Sequence, residues 1–210
     1  MKLKPRYWIP ALVLLAGALH AQSGELWLSA GASLLANTAL GSPSSSGSSN
    51  DVHLGDGGFR IGLRVTLNTS GRWGHEFQYA YTYSYFDDRT GAILGAPGST
   101  SMGMDQLGYN VLYYFNATNQ EPKVRPFVTA GFQVDDYVMP FAAVVNHDNG
   151  SWRPGFNYGG GIQFRLSPLF AWRFDIRGYD TGKPDWAGIL YKQGGLLHQT
   201  EASVGFGYVF

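Results

Sequence analysis

The chain has 210 residues, fifteen Lys plus Arg against fifteen Asp plus Glu, and no cysteine. Balanced charge argues against a nucleic-acid partner, and the lack of cysteine excludes disulfides and thiolate metal sites. The 29 glycines and 32 Tyr, Phe and Trp residues, set among few charges, suit many strands rather than helices.

Lys2, Lys4 and Arg6 precede an apolar run from Tyr7 to Leu19, and small residues follow as Ala16-Gly17-Ala18 and Ala21-Gln22. This order predicts a secretory signal over residues 1–21, cleaved after Ala21 or Ala18. The run is too short to cross about 30 Å of hydrocarbon as a helix. Residues 22–210 then form one domain.

Period two dominates the rest and predicts eight strands, at about 25–37, 58–68, 72–87, 101–115, 125–135, 155–166, 170–179 and 198–210. Short connections (69–71, 116–124, 167–169) alternate with long ones (38–57, 88–100, 136–154, 180–197). The first long loop contains GSPSSSGSSND, which reads as a low-complexity, mobile tract.

In FRIGLRVTLN, Phe59, Ile61, Leu63, Val65 and Leu67 share one face, and Arg60, Gly62, Arg64, Thr66 and Asn68 share the other. A soluble barrel buries its apolar face. Here the polar face carries the glycines and opposed charges: Arg60, Arg64, Arg165, Arg173 and Arg177 against Glu25, Glu76, Asp175 and Glu201. Near-cancellation is what a narrow closed lumen needs, because an unpaired buried charge is costly. Arg60, Arg64, Glu76, Arg165, Arg173, Asp175, Arg177 and Glu201 are therefore predicted to form a polar network inside the barrel. Eight strands leave room for little else; the alternative is that these residues line a narrow ion path.

The apolar face suits lipid. Its rings fall into two groups. Trp73, Tyr113, Phe115, Phe127, Phe164, Phe170, Trp172, Tyr208 and Phe210 lie near the short turns. Phe59, Tyr83, Tyr85, Phe156 and Tyr179 lie near the long loops. Two belts, an even strand count and unequal loops predict an all-β, eight-stranded, antiparallel up-and-down transmembrane barrel.

The last strand, EASVGFGYVF, must pair with the first to leave no edge. Val204, Phe206, Tyr208 and the terminal Phe210 resemble the C-terminal insertion signal of bacterial outer-membrane proteins. GGGIQFRLSPLFAWRFDIRGYD resembles the penultimate hairpin of the small OmpA-like and opacity-protein barrels. The resemblance implies a bacterial outer-membrane location with both termini periplasmic, and handling by the barrel-insertion machinery. It also implies contact with outer-membrane lipid and lipopolysaccharide. No peptidoglycan-binding module follows Phe210, so only the barrel is expected.

Chemistry is sparse. His198 and Thr200 share a face of the last strand, a spacing that resembles the His and Ser of the lipid A deacylases. Such an esterase needs a base, a nucleophile and an orienting carboxylate. Thr replaces Ser here, and the nearest acid in sequence, Glu201, points inward, so a polar pair at headgroup level is the favoured reading. His75 and His147 lack partners at metal-binding spacing. Gly159-Gly160-Gly161 precedes a strand, not a helix, and is no nucleotide fingerprint.

Nine acids lie in or beside the long loops: Asp51, Asp56, Asp87, Asp88, Asp135, Asp136, Asp148, Asp180 and Asp185. Arg89, Arg153, Lys183 and Lys192 accompany them. This rim either bridges lipopolysaccharide through Ca²⁺ or Mg²⁺ or keeps the loops soluble; the latter is favoured. The apolar run Val138–Asn146, within loop 136–154, is a candidate surface for a partner, or equally a strand pair extending above the membrane or a flap folding onto it. The expected protein is thus a non-enzymatic outer-membrane barrel with a structural or surface-interaction role and no cofactor or catalytic residue. A lipid-modifying enzyme, a small pore and a soluble secreted barrel are the rivals.

Overall fold

The computed structural model describes residues 23–138, 151–186 and 189–210. The expected signal at 1–21 and most of the apolar run at 138–146, with His147 and Asp148, lie outside the described residues. The strands are β1 (Ser23–Ala36), β2 (Ala39–Ser42), β3 (Val52–Leu54), β4 (Gly57–Asn68), β5 (Trp73–Asp88) and β6 (Gly98–Tyr114). They continue with β7 (Val124–Val138), β8 (Trp152–Arg165), β9 (Phe170–Gly182), β10 (Tyr191–Lys192) and β11 (Leu196–Val209).

Eight long strands form the barrel wall in the order β1–β4–β5–β6–β7–β8–β9–β11, each antiparallel to its neighbours. β11 returns to β1, from Glu25 opposite Val209 to Ala36 opposite His198, and this closes the sheet. The closing strand is EASVGFGYVF itself. Its last residue is pinned by two backbone bonds, Gly24 N–H to Phe210 O at 2.7 Å and Phe210 N–H to Gly24 O at 2.8 Å. Closure leaves the wall without a free edge, as a strand-built membrane span requires. No helix among the described residues is long and apolar enough to cross a membrane.

The register also fixes the stagger. Partners followed from Leu26 through Val65, Phe77, Tyr109, Phe132, Phe156, Asp180 and His198 arrive at Ala36, and 36 − 26 gives a shift of ten residues per circuit. Such a shear tilts the strands to the barrel axis and leaves an interior filled by side chains. Gly161 shows how tight it is. A Cβ there would lie 2.2 Å from the Phe174 carbonyl oxygen and 2.6 Å from the Phe127 ring.

The first long loop departs from expectation. Residues 38–57 hold β2 and β3, a hairpin that continues the sheet above β4 by pairing β3 with Phe86–Asp88 of β5. Gly41, at φ +136°, makes the irregular step in the β2–β3 pairing possible. The Ser/Gly tract is its tip, closed where Asp51 accepts from Ser42 Oγ at 2.7 Å and Ser48 N at 2.9 Å. Beneath it Leu40, Val52 and Leu54 are fully buried with Leu35, Phe86, Met102, Met104, Tyr137, Trp186, Ile189 and Leu197. Alternation could not predict this, because burial here comes from loops folding over the barrel mouth.

Asp88 anchors the next loop. Its carboxylate accepts the backbone N–H groups of Thr90 (3.1 Å), Gly91 (2.9 Å), Ile93 (2.7 Å) and Leu94 (3.0 Å). Burial favours its neutral form, but the N–H groups of Leu94 and Ile93 outweigh that and hold it below the usual Asp range. A depressed pKa contributes stability above the unfolded value, about 3.9, that is lost as pH falls through the folded value. Trp186, whose ring lies 5.4 Å from that of Phe86, should therefore report loop loosening only below about pH 4. Asp88→Asn should remove that acid transition; unchanged acid fluorescence in the variant would show that Asp88 does not control it.

Candidate functional site

Strand parity decides what enters the lumen. On β9, Arg173, Asp175 and Arg177 alternate with Trp172, Phe174 and Ile176; the charged set is buried and the apolar set faces out. Residues two apart stand about 6.6 Å apart along a strand, so alternating charges on one strand reach each other and their neighbours. Arg173 contacts Asp175 at 2.9 Å and Glu76 of β5 at 2.6 Å. Arg177 contacts Glu76 at 2.8 Å and Asp175 at 3.0 Å. Arg64 of β4 bridges Asp175 at 3.2 Å and Glu201 of β11 at 2.8 Å, and Arg60 meets Glu201 at 3.0 Å. Seven of the eight expected network residues thus form one connected system of buried charges.

Arg165 stands apart. It sits at the last position of β8, half-buried beside the turn, and its nearest carboxylate is the exposed Glu121 at 3.9 Å. Its parity is inward, but the wall ends there and the side chain reaches water. Arg125, at the second position of β7, occupies the place expected of it. Arg125 donates to Glu25 at 3.1 Å and lies 3.6 Å from the centre of the Tyr114 ring. Glu25 also accepts from Trp27 Nε1 (3.0 Å), Asn68 (2.8 Å) and Gln163 (3.1 Å). The signal for Arg125 was present: Val124, Pro126 and Val128 alternate with it on the apolar face.

Two rings expected in the outer belts point inward. Phe127 is 2% exposed and lies 4.3 Å from the Arg173 guanidinium carbon. Tyr179 is 1% exposed, donates its hydroxyl to Glu201 and lies 4.8 Å from that of Arg60. Residue type suggested lipid, whereas parity placed them as lids against guanidinium faces. The acidic rim is also thinner than expected, since Asp135 is buried in the lumen and Asp88 in its loop.

The lumen is therefore layered. Glu25–Arg125 and the Leu112–Tyr114–Phe127 cluster fill the short-turn end. The ionic network fills the middle. Above it, Gln199 donates to Ser33 at 2.7 Å and Tyr137 pairs with Thr181 at 2.6 Å. The apolar cluster around Phe86, Met104 and Trp186 closes the long-loop end.

On the outer wall, His198 meets a carboxylate the sequence did not reveal: Asp180, directly opposite on β9, contacts its Nδ1. Asp180 is buried and the imidazole half exposed. His75 Nδ1 and the Tyr109 hydroxyl lie 2.6 Å apart. Among the described residues no three His, Cys, Asp or Glu side chains assemble into a metal cage.

Outward Leu28, Phe59, Ile61, Leu63, Phe174, Ile176 and Phe206 are exposed while inward arginines are buried, the inverse of a water-soluble barrel. The fold and its filled interior define a small membrane-spanning β-barrel. The sequence matches the outer membrane protein beta-barrel domain family over residues 9–210, and the chain belongs to it. No curated protein matches it. Among solved structures it is similar to OprG from Pseudomonas aeruginosa, at 14% identity and TM-score 0.57, covering 91% of this chain and 97% of that one. Neisserial surface protein A aligns at 16% identity and TM-score 0.53, covering 89% and 96%. The outer membrane protein AlkL, determined in lipid bilayers, aligns at 13% and 0.51, covering 89% and 90%. At such identities the likeness is one of fold.

Proposed function

We propose that this protein is a sealed, non-catalytic barrel of the bacterial outer membrane that presents a folded platform at its long-loop end. One observation carries the reading: a charge network in which Arg64, Arg173, Arg177, Glu76 and Asp175 are each at most 2% exposed, with an apolar layer closing the lumen above it. Permeant ions would have to separate buried ion pairs. Planar-bilayer recording is expected to show no steady unitary conductance. Stable, ion-selective openings of the parent protein would overturn the sealed reading and favour a pore.

In this reading residues 1–21 direct export, the short turns and both termini face the periplasm, and the long loops face out. Val204, Phe206 and Tyr208 lie on the outward face of β11 and Phe210 follows it, which supports recognition by the insertion machinery. Deleting Phe210 should lower membrane yield in cells while detergent refolding persists; an unchanged yield would remove this role.

The Asp180–His198 contact favours a second reading, a lipid esterase with Thr200 as nucleophile. It lacks any hydrogen bond from His198 to Thr200. Ester hydrolysis in lipid vesicles that disappears in His198→Ala would replace the non-catalytic reading; no hydrolysis by the parent would dismiss the esterase.

A further inference from the structure

β5 has sixteen residues and β6 seventeen, whereas crossing hydrocarbon takes about 9–11 tilted residues. Trp73 and Tyr113, cross-strand partners with rings 5.0 Å apart, mark the short-turn interface. Counted from them, the span ends near Thr82 and Met104. Beyond it Tyr83, Tyr85 and Asp87 of β5 point outward, beside Gly103, Ser101 and Ser99 of β6 and His53 of β3.

This projecting wall differs from a simple girdle. Tyr83 and Tyr85 stand edge to face with centres 5.6 Å apart, and they are 41% and 48% exposed. On one side the exposed Ser101 and Ser99 form a lane of small side chains beside Tyr85 and Asp87, while the Tyr81 ring covers Gly103. On the other, Asp87 is held by His53 Nε2 at 3.1 Å with Arg89 Nε at 3.9 Å. Rings next to small residues offer stacking area, and serine hydroxyls, imidazole, carboxylate and guanidinium offer donors and acceptors to vicinal hydroxyls. That is the chemistry of sugar recognition. The wall faces sideways, away from the barrel axis, and continues downward into the apolar face of Tyr81 and Ile61. Its occupant must therefore stand in the same leaflet beside the barrel. The Asp87 charge is locally matched, so a phosphorylated headgroup is not repelled.

We propose that the outward face of β3, β5 and β6 above the hydrocarbon, centred on Tyr83, Tyr85, Asp87, Ser99 and Ser101, binds the saccharide head of an outer-leaflet glycolipid. The proposal rests on the outer-membrane placement with long loops outward. The test uses the full barrel in phosphatidylcholine nanodiscs containing either lipopolysaccharide or phosphatidylglycerol, with bound lipid counted by native mass spectrometry.

The Tyr83→Ala/Tyr85→Ala variant should retain at least about fivefold less lipopolysaccharide with phosphatidylglycerol binding unchanged. Tyr85→Phe should bind like the parent, as should Ile176→Ala on another wall. Ser101→Trp, which blocks the lane without removing a packed group, should lose binding even if the double variant folds poorly. Equal loss of both lipids would reduce the tyrosines to a girdle and overturn the proposal, as would no loss in either lane variant. Competition by free deacylated oligosaccharide at the same concentration as intact lipid would overturn the membrane-borne source. A parent barrel that enters nanodiscs yet ignores lipopolysaccharide defeats only this inference; one recovered from cells in the soluble fraction defeats the placement beneath it.

Discussion

Glu76→Ala is expected to destabilise the barrel in lipid vesicles by about 3–5 kcal/mol, measured by denaturant unfolding. The carboxylate holds Arg173 at 2.6 Å and Arg177 at 2.8 Å, and accepts from Thr66 Oγ at 3.1 Å. Without it, Arg173 and Arg177 have Asp175 as their one remaining carboxylate, at 2.9 and 3.0 Å, and Asp175 is already shared with Arg64 at 3.2 Å. Both arginines that lose a partner are fully buried, so water cannot replace the lost charge. The cost is that of stranded cations rather than of one missing contact. Glu76→Gln, which keeps an acceptor, should fall between parent and alanine. Removing the pair together, Glu76→Leu with Arg173→Leu, should recover much of the loss. A Glu76→Ala barrel that unfolds at the parent's denaturant concentration would show that these charges do not hold the interior together.

That network was legible in the sequence because parity is a local property. Arg60 and Arg64 on β4 and Arg173, Asp175 and Arg177 on β9 face inward wherever their alternating neighbours are Ile61, Leu63, Phe174 and Ile176. All eight wall strands follow the same rule, and their closure brings β1 to β11 as the pattern required. What failed was every inference that replaced parity with residue type or distance along the chain. Phe127 and Tyr179 looked like lipid-facing rings, yet their odd positions on β7 and β9 put them against Arg173 and Arg60. Asp180 lies 18 positions from His198, and only the register of β9 on β11 joins them. The apolar closure draws Leu40, Val52, Trp186 and Ile189 from separate loops and no period links them. Arg165 has the right parity but sits where the wall ends, a boundary that alternation does not mark.

Arginine in place of Leu63 is expected to cost about 2–4 kcal/mol in lipid vesicles, falling to about 0–1 kcal/mol for Leu67→Arg near the strand end. Leu63 lies midway along β4, points outward and is 45% exposed. In a bilayer that exposure is to acyl chains, where a guanidinium finds neither water nor a counter-charge. The neighbouring Arg64 carries the same group one residue away, but is 2% exposed and bridged to Asp175 and Glu201. A single step along the strand thus separates a stabilising arginine from a destabilising one, because the step exchanges a paired polar interior for hydrocarbon. In a water-soluble barrel the outward position would take arginine freely. Equal unfolding of parent and Leu63→Arg in vesicles would therefore contradict the membrane-facing wall, while a penalty that grades with depth from Leu67 to Leu63 is the signature of a bilayer around it.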